Sequence, residues 1–235
     1  MEVKNICTIL ARGGSKGVKN KNIKPLFGRP LIHYTIIQAK ESKLFDTIIV
    51  SSDSNEILNI AGKIDGIELI KRPLEFANDK ISKRPALRHA VTYAEKKLNI
   101  HYDNVIDLDC TSPLRSINDI HVAYKQFIQK NNDNLITAMP ARRSPYFNMV
   151  TLDKTDNVKL VIEPEIPVTC RQDAPVCYDM NASIYIWKKD ILFDTDSNYL
   201  EKTGLYIMPE DRSQDIDSDL DFKIVEMIMS EKRNA

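Results

Sequence analysis

The sequence of 235 residues has no excess of either charge, with 33 lysines and arginines against 33 aspartates and glutamates. A long nucleic-acid track or an anionic membrane surface needs a sustained field of one sign. Neither partner is expected, and any anion must be held by a local cluster. No apolar run approaches the roughly 20 residues of a transmembrane helix, and no charged stretch followed by a signal-type apolar segment opens the chain, so a soluble, cytoplasmic protein is expected. Cys7, Cys110, Cys170 and Cys177 contain no Cys-x-x-Cys pair. With no sign of secretion they are expected to be free thiols, forming neither a disulfide frame nor a zinc site. His33, His89, His101 and His121 fall in or beside helical patterns without triad spacing and read as structural. Internal repeats and low-complexity segments are absent.

The hydrophobic fraction is 43% and the charged fraction 28%, enough to bury a sizeable core in a single domain spanning residues 1–235. Apolar, β-rich runs at about 4–10, 47–51, 67–71, 104–108 and 134–139 alternate with helical patterns at about 30–41, 54–63, 82–98 and 117–130. That alternation predicts an α/β fold, a parallel sheet covered by helices. In the third helix Ala86, Leu87, Ala90, Val91 and Ala94 share one face, as packing on a sheet requires. From about 141 to 180 the rhythm gives way to short extended pieces broken by Pro145, Pro164, Pro167 and Pro175, an excursion from the sheet. The runs SIYIW and GLYIM and a helix beginning near Asp219 then return to the earlier pattern.

Three polar clusters follow strands, where open parallel sheets hold ligands. The first, RGGSKGVKNKN from Arg12 to Asn22, matches neither G-x-x-x-x-G-K-S/T nor G-x-G-x-x-G. Gly13, Gly14 and Gly17 nevertheless let backbone N–H groups approach anionic oxygens, and Arg12, Lys16 and Lys21 add charge suited to a triphosphate. In the last cluster, Asp215 and Asp217 would project to the same side of an extended segment, close enough to hold one hard divalent cation. Ser218 and Asp221 read as a capping box, which leaves Asp219 and Asp221 to the helix. An EF-hand reading fails because Leu220 stands where the turn needs glycine.

The middle cluster, Asp107-Leu-Asp109-Cys-Thr-Ser-Pro-Leu-Arg115, could ligate a metal through its two aspartates or accept loop hydrogen bonds. Thr111, Ser112 and Arg115 suit hydroxyls and carboxylates, with Ser116 or Asn118 capping the next helix. Two rival classes fit some of these features. A metal-dependent glycosyltransferase would use Asp107 and Asp109 and leave the basic loop surplus; a non-catalytic nucleotide-binding module would not need the acidic pair.

In order along the chain, LARGGSKGVKNKN, KRPLEFANDK, TSPLR, RQDAPVCYDMNASIYI and DIDSDLD resemble the CMP-sialic acid synthetase (acylneuraminate cytidylyltransferase) family over nearly the whole length. The resemblance implies a three-layer α/β/α, Rossmann-like nucleotidyltransferase fold with a mostly parallel central sheet. It further implies a homodimer in which the excursion at about 141–180 crosses to the partner subunit. The implied reaction joins CTP to a 2-keto-3-deoxy sugar acid with Mg²⁺, releasing pyrophosphate. By motif position Arg12, Gly13, Ser15, Lys16, Lys21 and Asn22 are similar to the triphosphate and ribose site, and Arg72 to a contact near the cytosine. Asp215 and Asp217 resemble the metal pair, so Lys21, Asp215 and Asp217 form the expected catalytic set. Asp109, Thr111, Ser112, Arg115, Arg171 and Asn181 are the expected contacts of the acidic sugar.

Two departures bear on the acid. Asp109-Cys110 stands where sialic acid enzymes typically carry Gln-Pro, and Arg142-Arg-Ser-Pro-Tyr-Phe147 lacks their lysine. With PARRSPYFN and CYDMNASIYI, the chain looks most like bacterial enzymes acting on the nine-carbon legionaminic acid. Sialic, pseudaminic and eight-carbon acids remain alternatives.

Overall fold

The computed structural model describes residues 2–14, 17–77 and 82–234. The strands are β1 (Asn5–Leu10), β2 (Pro25–Leu26), β3 (Arg29–Pro30), β4 (Thr47–Ser52), β5 (Glu68–Lys71), β6 (Asn104–Leu108), β7 (Asn134–Pro140), β8 (Val150–Leu152), β9 (Val158–Leu160), β10 (Tyr178–Met180), β11 (Ile184–Lys188) and β12 (Thr203–Ile207). The helices are α1 (Leu31–Ser42), α2 (Asn55–Ala61), α3 (Arg84–Leu98), α4 (Ile117–Gln129), α5 (Lys189–Asp194), α6 (Glu210–Ser213) and α7 (Asp219–Asn234).

Eight strands make the main sheet: β7-β11-β6-β1-β4-β5 follow one another, β10 pairs the end of β7 beyond the stretch that β11 pairs, and β12 also pairs β7. Strands β6, β1, β4 and β5 run parallel, and β12 runs parallel to β7. The sheet is mostly parallel, as the resemblance implies, with two antiparallel members: β11 between β6 and β7, and β10 on β7. The residues of β11 come from the SIYIW run, whose apolar content is the same for either direction.

Side chains of β1 alternate between two cores. Cys7 and Ile9 join Ile32 and Ile36 of α1, Ile57 of α2 and Phe127 of α4, whereas Ile6 joins Leu87, Ala90 and Val91 of α3 and Leu192 of α5. Two apolar faces covered by helices give the three layers. All five positions proposed as the inner face of α3 are buried. Ser116 caps α4 in a reciprocal box with Asp119, and Asp221 does the same for Ser218 at the start of α7.

The excursion ends earlier than its proline spacing suggests. Tyr178–Met180 already pairs with Ala138–Pro140 at the sheet edge, and a separate hairpin of β8 and β9 stands off the main sheet. A third apolar cluster brings Val18 of the basic loop together with Leu31, Ile216, Phe222 and Val225. This packing folds the start of the chain onto residues near its end. All four cysteines are free thiols, and no described helix is long and apolar enough to cross a membrane.

Candidate active site

A cavity of about 460 Å³ opens where β1 and β6 end, lined by parts of all three polar clusters. Arg12, Gly17, Lys21, Asn22 and Arg72 form one part of its wall; Lys83, Asp109, Thr111, Asp215 and Asp217 form another. Ser15 and Lys16 lie outside the described residues.

The basic and acidic loops are in backbone contact. A Cβ added to Gly17 would stand 1.9 Å from the carbonyl oxygen of Asp217, so only glycine permits this approach. Lys21 spans the same seam, donating to the Ile216 carbonyl and, at 2.9 Å, to the Asp217 carboxylate. The Ile216 N–H donates to the Thr111 carbonyl at 3.0 Å, which joins the middle cluster to the acidic one. The alternation Asp-Ile-Asp therefore buries Ile216 completely and turns Asp215 and Asp217 to the cavity.

Asp215 has a raised pKa, first because it is buried and then because Asp217 repels its charged form. A pair of carboxylates in this condition gains from a cation. Among the described residues no group of three or more histidines, cysteines or carboxylates could hold a metal. Asp215 and Asp217 are the residues that could hold a hard divalent cation, as two of its oxygen ligands.

Asp107 and Asp109, on β6 and just beyond it, already have their cation. Lys83 at the start of α3 pairs with Asp109 and lies 3.8 Å from Asp107. Thr111 donates to the other oxygen of Asp109 through its N–H at 2.9 Å and its hydroxyl at 2.8 Å. Burial alone would raise the pKa of Asp109, but the Lys83 charge and these hydrogen bonds outweigh it, bringing the group down to about 2. Asp107, behind the cavity and wholly buried, is shifted upward because burial dominates there. Lys83 was not among the residues singled out in the sequence. Its signal is electrostatic: Lys83 and Arg84 place two cations at the positive end of a helix, an arrangement that requires anionic or carbonyl partners. Arg84 finds the carbonyls of Thr195 and Ser197.

Several expected contacts stand behind the cavity wall. Arg115 is 2% exposed, and its guanidinium donates to the Ser183 carbonyl at 2.6 Å, Gln38 at 3.0 Å and the Thr35 hydroxyl at 3.2 Å. It is an internal tie, not a sugar contact, and burial lowers its pKa to about 10. Ser112 is fully buried. Asn181 accepts from the Thr137 hydroxyl at 2.7 Å and donates to the Ser213 hydroxyl at 3.0 Å, pinning α6 to the sheet. The N–H of Gly13 is directed to Asp53 at 2.9 Å and not into the cavity. Asn22 lines the wall, but its amide donates to the Arg12 carbonyl at 2.9 Å and accepts from the Cys110 thiol at 3.0 Å, bracing the loop. Arg72 is held by the hydroxyl and carbonyl of Ser51, with its outer surface on the cavity. Arg171 lies on the exposed excursion, where its guanidinium donates to the Ala141 carbonyl at 3.3 Å, and it does not line the cavity.

A second feature missed in the sequence steadies the acidic loop. Asp119, completely buried, accepts from Arg212 at 2.8 and 3.0 Å, from Tyr206 at 2.9 Å and from Ser116. Arg212 precedes Asp215 by one short turn, so this network fixes where the acidic segment leaves α6.

Comparisons with known proteins agree with this geometry. The chain is 50% identical over 227 residues to the CMP-N,N'-diacetyllegionaminic acid synthase of Campylobacter jejuni, covering 97% of this chain and 95% of that protein. It is 30% identical over 226 residues to a pseudaminic acid cytidylyltransferase of the same species, covering 94% of each. The fold is similar to that of a CMP:2-keto-3-deoxy-manno-octonic acid synthetase complexed with CTP. There the TM-score is 0.70 at 15% identity, over 97% of this chain and 99% of that one. A family profile described as Cytidylyltransferase matches residues 6–230, and the chain belongs to that family.

Proposed function

We propose that this protein transfers the cytidylyl group of CTP to the anomeric hydroxyl of a nonulosonic acid, N,N'-diacetyllegionaminic acid, and releases pyrophosphate. The observation that carries the reading is the backbone contact of Gly17 with Asp217, which closes a basic, glycine-containing loop on a pair of carboxylates in one cavity. A glycosyltransferase has no use for that loop, and simple nucleotide binding has no use for the acidic pair. The choice of acid rests on the 50% identity to the enzyme named for it.

In this reading Arg12 and Lys21 neutralise the triphosphate while Arg72 borders the base. Asp215 and Asp217 would hold Mg²⁺, which supplies charge neutralisation at the α-phosphorus and acidifies the attacking hydroxyl. Lys21, held between Ile216 and Asp217, fixes the distance between the phosphate loop and the carboxylates. No protein nucleophile is required.

The excursion supports a homodimer. Val150, Leu152, Val158, Ile166 and Val176 are exposed on it, an apolar surface suited to burial against a second copy, which would also bring Arg171 toward the partner's cavity. A cytoplasmic location accords with the supply of CTP.

Pyrophosphate release from CTP and Mg²⁺ tests the proposal with legionaminic, pseudaminic, sialic and octulosonic acids offered in turn. Release is expected to be fastest with N,N'-diacetyllegionaminic acid. Release with no acid of the panel would overturn the activity, and preference for another acid would overturn the substrate.

A further inference from the structure

Along the sheet, the cavity divides into two halves. Arg12 follows β1 and Arg72 follows β5, with the Arg72 side chain tied to Ser51 of β4. Asp109 follows β6, Ala182 precedes β11, and Lys83 reaches to 6.0 Å from the ring of Tyr185 on β11. The triphosphate-binding character belongs to the first half, whereas the second carries a carboxylate and an ammonium group in contact.

We propose that Lys83 is a positioning residue for the sugar acid: with Asp109 it makes a fixed donor and acceptor pair that reads one hydroxyl of that substrate. The inference rests on the cytidylyl transfer proposed above and concerns its second substrate.

The Asp109 carboxylate cannot turn. One oxygen accepts from the N–H and hydroxyl of Thr111, the other from Lys83. A carboxylate has about four lone-pair sites, so an acceptor position remains toward the cavity. The Lys83 ammonium has three protons, of which one meets Asp109 and one faces Asp107; its side chain is 46% exposed, on the cavity wall. Donor and acceptor thus stand side by side. Of the groups on a sugar acid, a hydroxyl donates and accepts through a single oxygen and can bridge such a pair. A trans amide directs its N–H and C=O in opposite directions, and a substrate carboxylate would be repelled by Asp109. Because Lys83 and Thr111 keep Asp109 ionised down to about pH 2, the acceptor is present at any working pH. Lys83 also offsets the charge of two adjacent carboxylates in a largely buried setting, which fixes its own position.

The test is steady-state pyrophosphate release by the full chain and by K83M, K83R and D109N. CTP is paired with the preferred acid and with analogues that each lack one hydroxyl, and dCTP is paired with the preferred acid. K83M and D109N are expected to raise KM for the acid about 10- to 100-fold, the range of a lost hydrogen bond to a charged group, with KM for CTP unchanged. They should also lose discrimination against one deoxy analogue while keeping it against the others. K83R should recover part of the loss, and D109N and K83R carry the test if K83M does not fold. A rise in KM for CTP with lost discrimination against dCTP would overturn the inference, because the pair would then read the ribose. A fall in kcat with selectivity unchanged would also overturn it, assigning Lys83 a purely structural part. Failure of the unaltered chain to release pyrophosphate with any acid would overturn the cytidylyl-transfer reading and this one with it. Normal release with selectivity untouched in the variants would overturn this inference alone.

Discussion

Asp107-Leu108-Asp109 and Asp215-Ile216-Asp217 are built alike. Each is a pair of carboxylates around a completely buried apolar residue, and both lie beside one cavity. They differ in their counter-charge. The first pair meets Lys83, and its outer member is held as an ionised acceptor near pH 2. In the second, Lys21 reaches Asp217 at 2.9 Å, while Asp215 is left with burial and the repulsion of its neighbour, which raise its pKa. The same three-residue pattern is therefore closed by one lysine shared between both carboxylates in one place, and in the other has its lysine on the outer carboxylate alone. A motif of two aspartates specifies chemistry only together with the cation that the fold brings to it.

The strongest way to break this comparison is to remove charge from each pair separately. D215N and D217N should each lower turnover about 10²- to 10³-fold, as the loss of a transition-state electrostatic contact does, with both variants still folded. D107N should spare turnover in comparison, because Asp107 lies behind the wall. Equal loss of turnover in D107N and D217N, with both variants folded by circular dichroism, would show that the two pairs share one role.

The glycines of the basic loop offer a finer test. G17A puts a Cβ against the Asp217 carbonyl, a backbone atom that can yield only by separating the two loops. Turnover should fall about tenfold or more, and stability by about 1–3 kcal/mol, typical of overpacking. G13A meets side-chain atoms alone, Ser54 at 3.0 Å and Asp53 at 3.6 Å, and should lose less, and G14A, with nothing within 4 Å among the described residues, should be nearly neutral. Denaturant melts with paired kinetics would establish the order. If G14A is the most damaging, the seam between the loops does not control the site.

What the sequence showed and what it hid follow the same division. Local periodicity marked α1 to α4, the buried face of α3 and the Ser218 cap, because those features are settled by neighbours a few residues away. The strand direction of β11 was hidden, since an apolar run fits either orientation. Charged and polar types near a strand end drew attention to Arg12, Lys21, Asp109, Thr111, Asp215 and Asp217, and the family resemblance to Arg72; all of them line the cavity. The same rule also drew in Ser112 and Arg115, and the resemblance Asn181, all of which are buried, Arg115 and Asn181 on partners within the fold. Lys83 and the Asp119–Arg212 pair were hidden because their partners are 26 and 93 residues away: two cations opening α3 signal a need for anionic partners but do not say which residues supply them.

A pH titration should separate the pairs by sign. The pKa of Asp109 is lower in the folded chain than its ordinary value of 3.8, so the stability it contributes is complete above that value. That stability is lost as pH falls from about 4 toward about 2. Asp215 is shifted the other way: its contribution favours folding where it is protonated and is lost as pH rises through its raised pKa. Against the unaltered chain, D109N should flatten the acid limb of the stability curve, and D215N should raise stability at neutral pH. Melts across pH 2 to 7 would measure both. An acid limb in D109N as steep as in the unaltered chain would remove Lys83 as the reason for the low pKa.

The smallest effect concerns magnesium without nucleotide. Two carboxylates form an incomplete shell for this ion, which normally completes it with water and phosphate oxygens, so binding to the bare chain should be weak. At a concentration equal to Kd, a ligand that binds only the folded state stabilises it by about 0.4 kcal/mol. For a chain of this size that is a rise of roughly 1 °C in Tm. The increment should disappear in D217N and in D215N and persist in D107N, because Lys83 already occupies the position a cation would take beside Asp107 and Asp109. Adding CTP should enlarge the increment in the unaltered chain and in D107N alone, since phosphate oxygens complete the shell only where the acidic pair is intact. A magnesium-dependent rise that survives in D217N but vanishes in D107N would exchange the roles of the two pairs. Lys83 would then be the group that a metal displaces, and the β6 aspartates the site at which it binds.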